Sequence, residues 1–238
     1  WKTGSWEGFR RFVVPSTVRA LAFSPDGSTL AVGCQDGSVV FWDLEKQTRY
    51  RRSDLGMERR IASLDYAQGG NILGASTVSA VAFWDVESGE RVELMPGAEP
   101  RQLVDFCPSR PLVAAVVEDG GLEVWDTGLR RRVCDLSVEG SVRALHCGGR
   151  GERVAAANDS NEMSIYDIET GSRTAGMGRG LARVWSVRLS PDEALLASSN
   201  SDTTVRLWNV AGGELETALH KHVEWVMAVS FSPRFRWL

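Results

Sequence analysis

Three histidines are the residues of this sequence with the widest chemical use, because imidazole can exchange protons or bind a metal ion near neutral pH. His220 and His222 are two positions apart, a spacing that would let both side chains clamp one metal ion on a strand. His146 lies beside Cys147 in an apolar segment, which favours a hydrogen-bonded structural imidazole. Two interpretations of the His220–His222 pair stay open at this point, a metal clamp and a structural role.

Other residue patterns offer little for catalysis. The glycine-rich segment 148–151 is not followed by a helical pattern that could present its N-terminus to phosphate, so we predict a turn between strands. The serine-rich segment 198–201 has the character of a strand and a turn rather than of an activated nucleophile. Aspartates recur at turn positions along the chain, whereas a catalytic carboxylate is expected in one place. We therefore predict no catalytic residues.

Composition excludes several classes of protein. The 43% hydrophobic and 24% charged residues are those of an ordinary globular domain, and no apolar run approaches the roughly 18 residues that span a bilayer. The first residues lack the charged-then-apolar order of a secretory signal. The four cysteines form no Cys-x-x-Cys pair, which disfavours a zinc knuckle or a redox motif and favours a reducing, cytoplasmic setting.

The net charge of -4 gives no overall attraction to nucleic acid, so a nucleic-acid partner is not expected. Of the 27 basic residues only three are lysines. Two explanations of this arginine excess stay open. It reflects a GC-rich coding genome, or it supplies planar, bidentate hydrogen-bond donors at a binding face.

The main feature of the sequence is an internal repeat. An aromatic residue followed by Asp or Asn recurs every 41 or 42 positions, as from 42 to 84 and from 84 to 125. A second recurring unit, an apolar segment, stands about twenty residues before each aromatic. The repeated aromatics are Trp42, Trp84, Trp125, Tyr166 and Trp208. Two landmarks with one period predict a protein built from repeated structural units.

Each period divides into four short apolar or alternating segments separated by turn residues, which predicts four antiparallel strands. In the first period these segments are 18–23, 29–33, 38–42 and about 47–52. Between the first two, Pro25 stands where its restricted φ starts a tight turn. No segment shows a sustained helical period of apolar residues. We therefore predict an all-β fold and exclude a parallel βαβ architecture.

With these landmarks the chain resembles the WD-repeat (WD-40) β-propellers over nearly its whole length. Trp-Asp closes the third strand of a repeat, as at 42–43, and Phe-Ser-Pro-Asp-Gly closes the first, as at 23–27. The resemblance implies a β-propeller of radially arranged, four-stranded antiparallel blades. It also implies that the repeated aromatics pack at equivalent places between neighbouring blades.

The family holds each blade with a polar network that joins a His before the first strand, a Ser or Thr on the second, an Asp in the following turn and the aromatic. The resemblance assigns the Asp position to Asp36, Asp119 and Asp202, and the His position to His222 alone. Because such a network helps only when its members are satisfied, we expect apolar packing to stabilise the fold more than these hydrogen bonds do. The position of His222 favours a structural role over a metal site. We expect neither a metal nor a cofactor.

We predict one propeller domain over residues 1–238. Its units are the tail of a preceding blade at 1–17, blades at 18–60, 61–100, 101–141, 142–183 and 184–225, and the start of a further blade at 226–238. Five complete blades with partial blades at both ends predict a fragment of a longer propeller. In the alternative, a strand near 9–14 completes a sixth blade and nearly closes a small ring.

The resemblance places the entrances of the first strands and the turns between second and third strands on one face, where partners usually dock. The residues that we predict for this face are Arg19, Arg60, Arg143, Arg183, Trp185, Trp225, Met227, Gln35 and Glu118. Arg and Trp are the side chains that most often anchor protein interfaces. In the alternative interpretation, Trp185 packs against its neighbour and the arginines are solvated.

From these features we predict a non-catalytic protein-binding scaffold or sensor platform that belongs to a larger multidomain protein. The expected partners are other proteins or peptides, acidic ones among them, and not a membrane. The alternative is a propeller enzyme, a hydrolase or lyase that uses the central channel. The lack of a polar cluster unique to one blade argues against that alternative.

Overall fold

The computed structural model of the chain describes residues 13–14, 16–46, 48–54, 61–77, 81–95, 100–117, 120–179 and 181–232. These residues form twenty strands and no helix. The strands make five separate four-stranded sheets, each with its strands in sequence order and all neighbours antiparallel. The prediction of an all-β fold with four strands in each repeat is confirmed. In the part of the chain that is described, no helix is long and apolar enough to cross a membrane.

The first sheet contains β1 (Val18–Phe23), β2 (Thr29–Cys34), β3 (Ser38–Asp43) and β4 (Thr48–Asp54). The second contains β5 (Ser63–Tyr66), β6 (Ile72–Ser76), β7 (Val81–Asp85) and β8 (Arg91–Val92). The third contains β9 (Pro100–Phe106), β10 (Leu112–Val117), β11 (Leu122–Asp126) and β12 (Arg131–Leu136). The fourth contains β13 (Val142–Cys147), β14 (Arg153–Asn158), β15 (Met163–Asp167) and β16 (Arg173–Met177). The fifth contains β17 (Val184–Leu189), β18 (Leu195–Asn200), β19 (Val205–Asn209) and β20 (Leu215–Leu219).

The turn between β1 and β2 shows how local sequence sets the strand pairing. The Gly27 N–H donates to the Ser24 carbonyl at 2.8 Å, and Gly27 has a φ of 72°, a left-handed conformation that glycine adopts without steric cost. Asp26 Oδ1 accepts the Ser28 N–H at 3.0 Å. These bonds close the turn where the sequence places proline, aspartate and glycine together.

The third strand of each sheet takes part in two interfaces, because neighbouring residues of a strand point to opposite faces. Ile165 and Tyr166 are adjacent on β15, and both are almost fully buried. Tyr166 lies in a buried cluster with Val124 of the third sheet, and Ile165 lies in another with Trp208 of the fifth. Each of the last four repeated aromatics thus shares a core with the residue before the preceding aromatic. The same relationship joins Trp84 to Phe41 and Trp125 to Phe83.

The first strands of the five sheets contact one another in sequence order, from β1 through β5, β9 and β13 to β17. This is the arrangement expected around the axis of a propeller. The further blade predicted at 226–238 has no strand between residues 226 and 232, although Val226 is buried and its N–H donates to the Asn200 carbonyl at 3.2 Å. Residues 233–238, and 1–12 of the predicted preceding tail, lie outside the described residues. The division into blades by residue range stays a prediction.

A disulfide that the sequence analysis did not anticipate joins the third and fourth sheets. Cys107 follows β9 and Cys147 ends β13, and both are fully buried. The two positions are 40 residues apart in sequence, about one repeat, so neighbouring blades bring them together. Cys34 is buried, and Cys134 is a half-buried free thiol.

Candidate protein-binding face and axial polar cluster

A β-bulge at the entrance of the first strand positions three of the predicted face residues. In β13 the pairing with β14 shifts between Val142 and Ala144, so that Arg143 stands outside the ladder as the extra residue. The same shift makes Arg19 the extra residue of β1 and Trp185 that of β17. A bulge turns a side chain away from its place in a regular strand. The repeat of this bulge explains why Arg and Trp occur at these positions without disturbing the apolar pattern.

Arg183, Trp185 and Trp225 form a stack at the entrance of β17. The guanidinium carbon of Arg183 is 4.1 Å from the centroid of the Trp185 ring. The Trp185 and Trp225 rings are stacked, with centroids 5.7 Å apart and planes 28° from parallel. Cation–π and offset aromatic contacts both favour this arrangement. Because Trp225 is 60% exposed, the stack keeps a large aromatic surface open.

A pocket of about 210 Å³ lies beside the stack. Its lining residues are Leu103, Val142, Arg143, Arg183, Val184 and Trp185. Four apolar or aromatic residues and two arginines therefore line it. The Trp185 indole N–H is buried and has no hydrogen-bond partner. Neither Arg143 nor Arg183 forms an ion pair with a described residue, so both charges are available.

The remaining predicted face residues lie elsewhere. Arg19 and Gln35 are exposed on the first sheet and do not line the pocket. Met227 is 58% exposed in the irregular segment after β20. Arg60 and Glu118 fall outside the described residues. The structure thus brings four of the nine predictions together, namely Arg143, Arg183, Trp185 and Trp225.

A second polar group occupies one equivalent position near the end of each first strand. The residues at this position are Ala22, Asp65, Asp105, His146 and Arg188. We call the last four the axial polar cluster. They are half-buried, and they lie on first strands that contact one another in sequence order around the propeller axis. The axial polar cluster takes one residue from each of four sheets, so it is not a cluster unique to one blade, and the sequence analysis did not single it out. Ionisable residues at the same offset within apolar segments are the sequence feature that would have found it.

Three members of the axial polar cluster hold backbone groups of the following sheet. Each of these side chains accepts a hydrogen bond from a backbone N–H in the next sheet. That N–H belongs to the residue directly after the cluster member of that sheet. The bonds are Phe106 N to Asp65 Oδ2 at 2.9 Å, Cys147 N to Asp105 Oδ2 at 2.6 Å and Leu189 N to His146 Nδ1 at 3.0 Å. A strand at the inner edge of a sheet leaves such N–H groups without a ladder partner, so these side chains satisfy them.

The two ends of this series differ from its middle. Ala22 offers no acceptor, and the N–H of Tyr66 is bound instead by Asp65 Oδ1 at 2.9 Å. Arg188 is a donor, and its Nη1 donates to the Val187 carbonyl of its own strand at 2.9 Å. The series therefore runs from an aspartate that holds two N–H groups to a cation that holds none.

Burial dominates the electrostatics of the axial polar cluster. Desolvation raises the pKa of both carboxyls, and that of Asp105 further, because the neighbouring Asp65 charge opposes its ionisation. Arg188 lowers both pKa values by a smaller amount. Desolvation and then the Arg188 charge lower the pKa of His146 to about 3. At neutral pH the cluster consequently contains a neutral imidazole, a protonated Asp105 and an ionised Asp65 that balances Arg188.

The described residues contain no group of three or more His, Cys, Asp or Glu side chains that could hold a metal ion. A family profile described as "WD domain, G-beta repeat" matches residues 10–43 and 178–209, which include the first three strands of the first and fifth sheets. The chain belongs to the WD-repeat family. This agrees with the resemblance inferred from the spacing of the repeated aromatics.

Two curated relatives give the extent of the similarity. The WD-repeat chain is 25% identical over 225 residues to the transcriptional corepressor LEUNIG_HOMOLOG of Arabidopsis thaliana, covering 92% of this chain and 28% of that protein. It is 30% identical over 164 residues to the Retinoblastoma-binding protein 5 homolog of Drosophila melanogaster, covering 63% of this chain and 31% of that protein. The chain thus spans about a third of the length of these relatives.

Solved structures show the same fold. A chain of the mitotic checkpoint complex superposes on this WD-repeat chain with a TM-score of 0.77 at 20% identity, covering 93% of this chain and 70% of that one. The computationally designed Ika8 protein gives a TM-score of 0.73 at 21% identity, covering 91% and 66%. At this level of identity the likeness concerns the β-propeller architecture alone.

The family's blade network is only partly present in this WD-repeat chain. Trp208 Nε1 donates to Ser198 Oγ on the second strand of its sheet at 3.1 Å. Asp202 Oδ1 accepts the Thr204 hydroxyl at 2.6 Å and so holds the turn before β19. His222 is exposed and makes no hydrogen bond to a described residue, so the structure does not place it in the network.

Other blades replace the network with different bonds. Asp36 Oδ1 accepts the Ser38 hydroxyl at 2.6 Å, which repeats the turn role of Asp202. The Tyr166 hydroxyl donates to the Ser137 carbonyl at 2.8 Å, and Trp125 Nε1 donates to Glu123 Oε2 at 2.6 Å. Trp84, Trp125, Tyr166 and Trp208 are buried, whereas Trp42 is half-buried. Asp119 falls outside the described residues.

Proposed function

We propose that this chain is a non-catalytic protein-binding scaffold whose partner docks on Arg143, Arg183, Trp185 and Trp225. The observation that carries the proposal is the Arg183–Trp185–Trp225 stack beside a pocket lined by four apolar or aromatic residues and two arginines. A stack of this kind holds large side chains in one conformation before a partner arrives, which lowers the entropy lost on binding. Trp and Arg are also the residues that most often dominate an interface.

The chemistry of the pocket favours an acidic or aromatic-bearing peptide. Its volume of about 210 Å³ matches one inserted side chain rather than a whole small molecule. Arg143 and Arg183 supply positive charge among the residues that line the pocket. A carboxylate would neutralise that charge and accept charge-assisted hydrogen bonds from the two guanidinium groups.

The comparisons support this proposal at the level of the family. The Retinoblastoma-binding protein 5 homolog and the mitotic checkpoint complex are both named for association with other proteins. The axial polar cluster, where a channel enzyme would place its chemistry, uses Asp65, Asp105 and His146 to hold backbone N–H groups. That structural use supports the non-catalytic interpretation over a hydrolase or lyase. A cytoplasmic location is part of the proposal.

The proposal is tested by peptide binding to the purified chain. An array of capped peptides that vary in acidic and aromatic content supplies a ligand, and its affinity is then measured for the parent and for the Arg183→Ala/Trp225→Ala variant. We expect the double variant to lose at least about 2 kcal/mol, which is roughly a 30-fold increase in Kd. Arg131→Ala, on the exposed outer strand β12, is the matched control and should bind like the parent. If the double variant keeps the far-UV circular dichroism spectrum of the parent and binds the peptide with equal affinity, the partner does not dock on this face.

A further inference from the structure

The axial polar cluster has polar atoms that no described residue uses. Arg188 carries five N–H donors, and one of its nitrogens, Nη1, donates to the Val187 carbonyl. His146 accepts through Nδ1, so its proton is on Nε2, which has no hydrogen-bond partner among the described residues. Asp105 uses Oδ2 alone, and its Oδ1 is also without a partner there. These three side chains come from β9, β13 and β17, which are neighbours around the axis.

The unused atoms are mostly donors. At neutral pH the raised pKa of Asp105 leaves a proton on its carboxyl, and the lowered pKa of His146 leaves its imidazole neutral with one N–H. Asp65 spends both oxygens on the N–H groups of Tyr66 and Phe106. A ligand that complements this cluster must therefore supply acceptors. A cation is disfavoured, because the Arg188 guanidinium already occupies that role.

We propose that Arg188, His146 and Asp105 form a binding site for one carboxylate group at the propeller axis. A planar carboxylate matches the planar guanidinium of Arg188, which can donate two parallel hydrogen bonds to it. His146 Nε2–H and the Asp105 hydroxyl are the additional neutral donors. A doubly charged phosphate fits less well, because it would bring two negative charges beside the ionised Asp65 where a carboxylate brings one.

The site lies within reach of a ligand from the binding face. Arg188 is three residues beyond Trp185 on β17, roughly 10 Å along a strand. The four cluster side chains are half-buried, so only part of their surface is open to water. The carboxylate has two sources, a free small acid or the acidic side chain of a bound peptide. The inference does not rest on the proposed function, because a free acid needs no protein partner.

The His146 imidazole is a direct probe of the site. The chain has three histidines, so its imidazole carbon–proton NMR spectrum is sparse, and the His146 signal is assigned with His146→Gln. We expect acetate to shift this signal saturably, whereas sodium chloride at equal ionic strength does not. Arg188→Gln should weaken acetate binding at least tenfold, while Arg131→Gln on exposed β12 should leave it unchanged. If Arg188→Gln fails to fold, Arg188→Lys keeps the charge without the planar fork and should also weaken binding.

Proton uptake provides an independent readout. The charged groups that act on the Asp105 carboxyl are Asp65 on β5 and Arg188 on β17, and its Oδ2 accepts the N–H of Cys147, the residue after His146 on β13. If the ligand needs the protonated Asp105 carboxyl, acetate affinity should fall about tenfold per pH unit above the Asp105 pKa. Asp105→Asn keeps an acceptor for the Cys147 N–H and a donor for the ligand. The acetate affinity of this variant should therefore not change with pH in the same range.

A capped tripeptide with a central Asp, compared with its Asn counterpart, separates the two sources. Tighter binding of the Asp peptide than of acetate identifies a partner side chain, and the reverse identifies a free acid. Either result supports a carboxylate site. The proposal is overturned if neither probe shifts the His146 signal saturably, or if Arg188→Gln and Arg131→Gln respond alike. Because these probes do not involve Trp225, their failure leaves the peptide-face test unaffected.

Discussion

Glu193 Oε1 accepts the backbone N–H of Arg150 at 2.9 Å, across the boundary between the fourth and fifth sheets. The carboxylate enters the glycine-rich turn between β13 and β14, and the same oxygen is 3.4 Å from the Glu152 nitrogen. Glu193 is fully buried, and its Oε2 has no hydrogen-bond partner. The segment that the sequence predicts to be a turn is therefore also a site that holds a carboxylate of its own chain.

Glu193→Gln should stabilise the protein at pH 8. Desolvation raises the pKa of Glu193, so the stability its carboxyl contributes is fully present below the unfolded value of 4.5 and is lost as pH rises through the folded value. Glutamine keeps the acceptor for the Arg150 N–H and carries no charge. Urea unfolding at pH 4 and pH 8 should show a larger advantage of the variant at pH 8. Glu193→Ala is the control, which loses the acceptor and should cost about 1–3 kcal/mol at both pH values. A parent protein more stable than Glu193→Gln at pH 8 would contradict the prediction.

Reduction of the Cys107–Cys147 disulfide should lower the free energy of unfolding by about 4 kcal/mol, because the bond closes a loop with a sequence separation of 40. Thermal unfolding with and without a phosphine reductant measures this effect. The reductant response should vanish in Cys107→Ala/Cys147→Ala and persist in Cys134→Ala, which alters a free cysteine. Four titratable thiols in the protein unfolded without reductant would refute the bond and support the expected reducing, cytoplasmic setting.

Trp208→Ala should cost about 3–5 kcal/mol, because it removes a buried aromatic from the core between the fourth and fifth sheets. Trp208→Phe keeps most of the apolar contact and loses the bond to Ser198 Oγ, which should cost about 1 kcal/mol beyond the change in packing. Trp42→Ala should cost less than Trp208→Ala, since Trp42 is half-buried. Urea unfolding followed by far-UV circular dichroism gives all three values. Equal costs for Trp42→Ala and Trp208→Ala would show that burial does not decide the effect.

The first strand exposes an apolar surface that other sheets bury. Leu21 and Phe23 of β1 are 57% and 63% exposed, whereas the equivalent Leu145 is 6% exposed. Contiguous apolar surface of this kind promotes self-association, so Leu21→Ser/Phe23→Ser should shift the sedimentation profile toward monomer at high protein concentration. Leu181→Ser, which alters an exposed leucine elsewhere, should leave the profile unchanged. A parent protein that is monomeric with one cooperative transition would instead favour the nearly closed ring.

The individual strands of this protein follow from local sequence. The predicted segments 18–23, 29–33 and 38–42 agree with β1, β2 and β3 to within one residue. The alternation of side chains and the turn residues involve only a few neighbouring positions. Strands and turns can therefore be predicted from them without the rest of the chain. The period of the aromatics likewise predicts five four-stranded sheets, because each repeat is one structural unit.

The binding face could be predicted only in part from the sequence. Equivalence between repeats groups Arg143 with Trp185, and it groups Arg183 with Trp225. It does not show that the Trp185 ring lies between Arg183 and Trp225, nor that a bulge turns Arg143 out of its strand. The place of Trp225 depends on how the segment after β20 packs, with the Val226 N–H bound to the Asn200 carbonyl at 3.2 Å, and no local pattern specifies that contact.

Sequence alone determined the repeat, the strands and the family, because these depend on residues close together in the chain. Tertiary structure decided which residues of neighbouring repeats meet. Glu193 and Arg150 are 43 residues apart, Asp105 and Cys147 are 42 apart, and Cys107 and Cys147 are 40 apart. Each of these contacts depends on the offset between adjacent sheets as well as on the length of the repeat. That offset is set by side-chain packing between the sheets, and no pattern within one repeat encodes it.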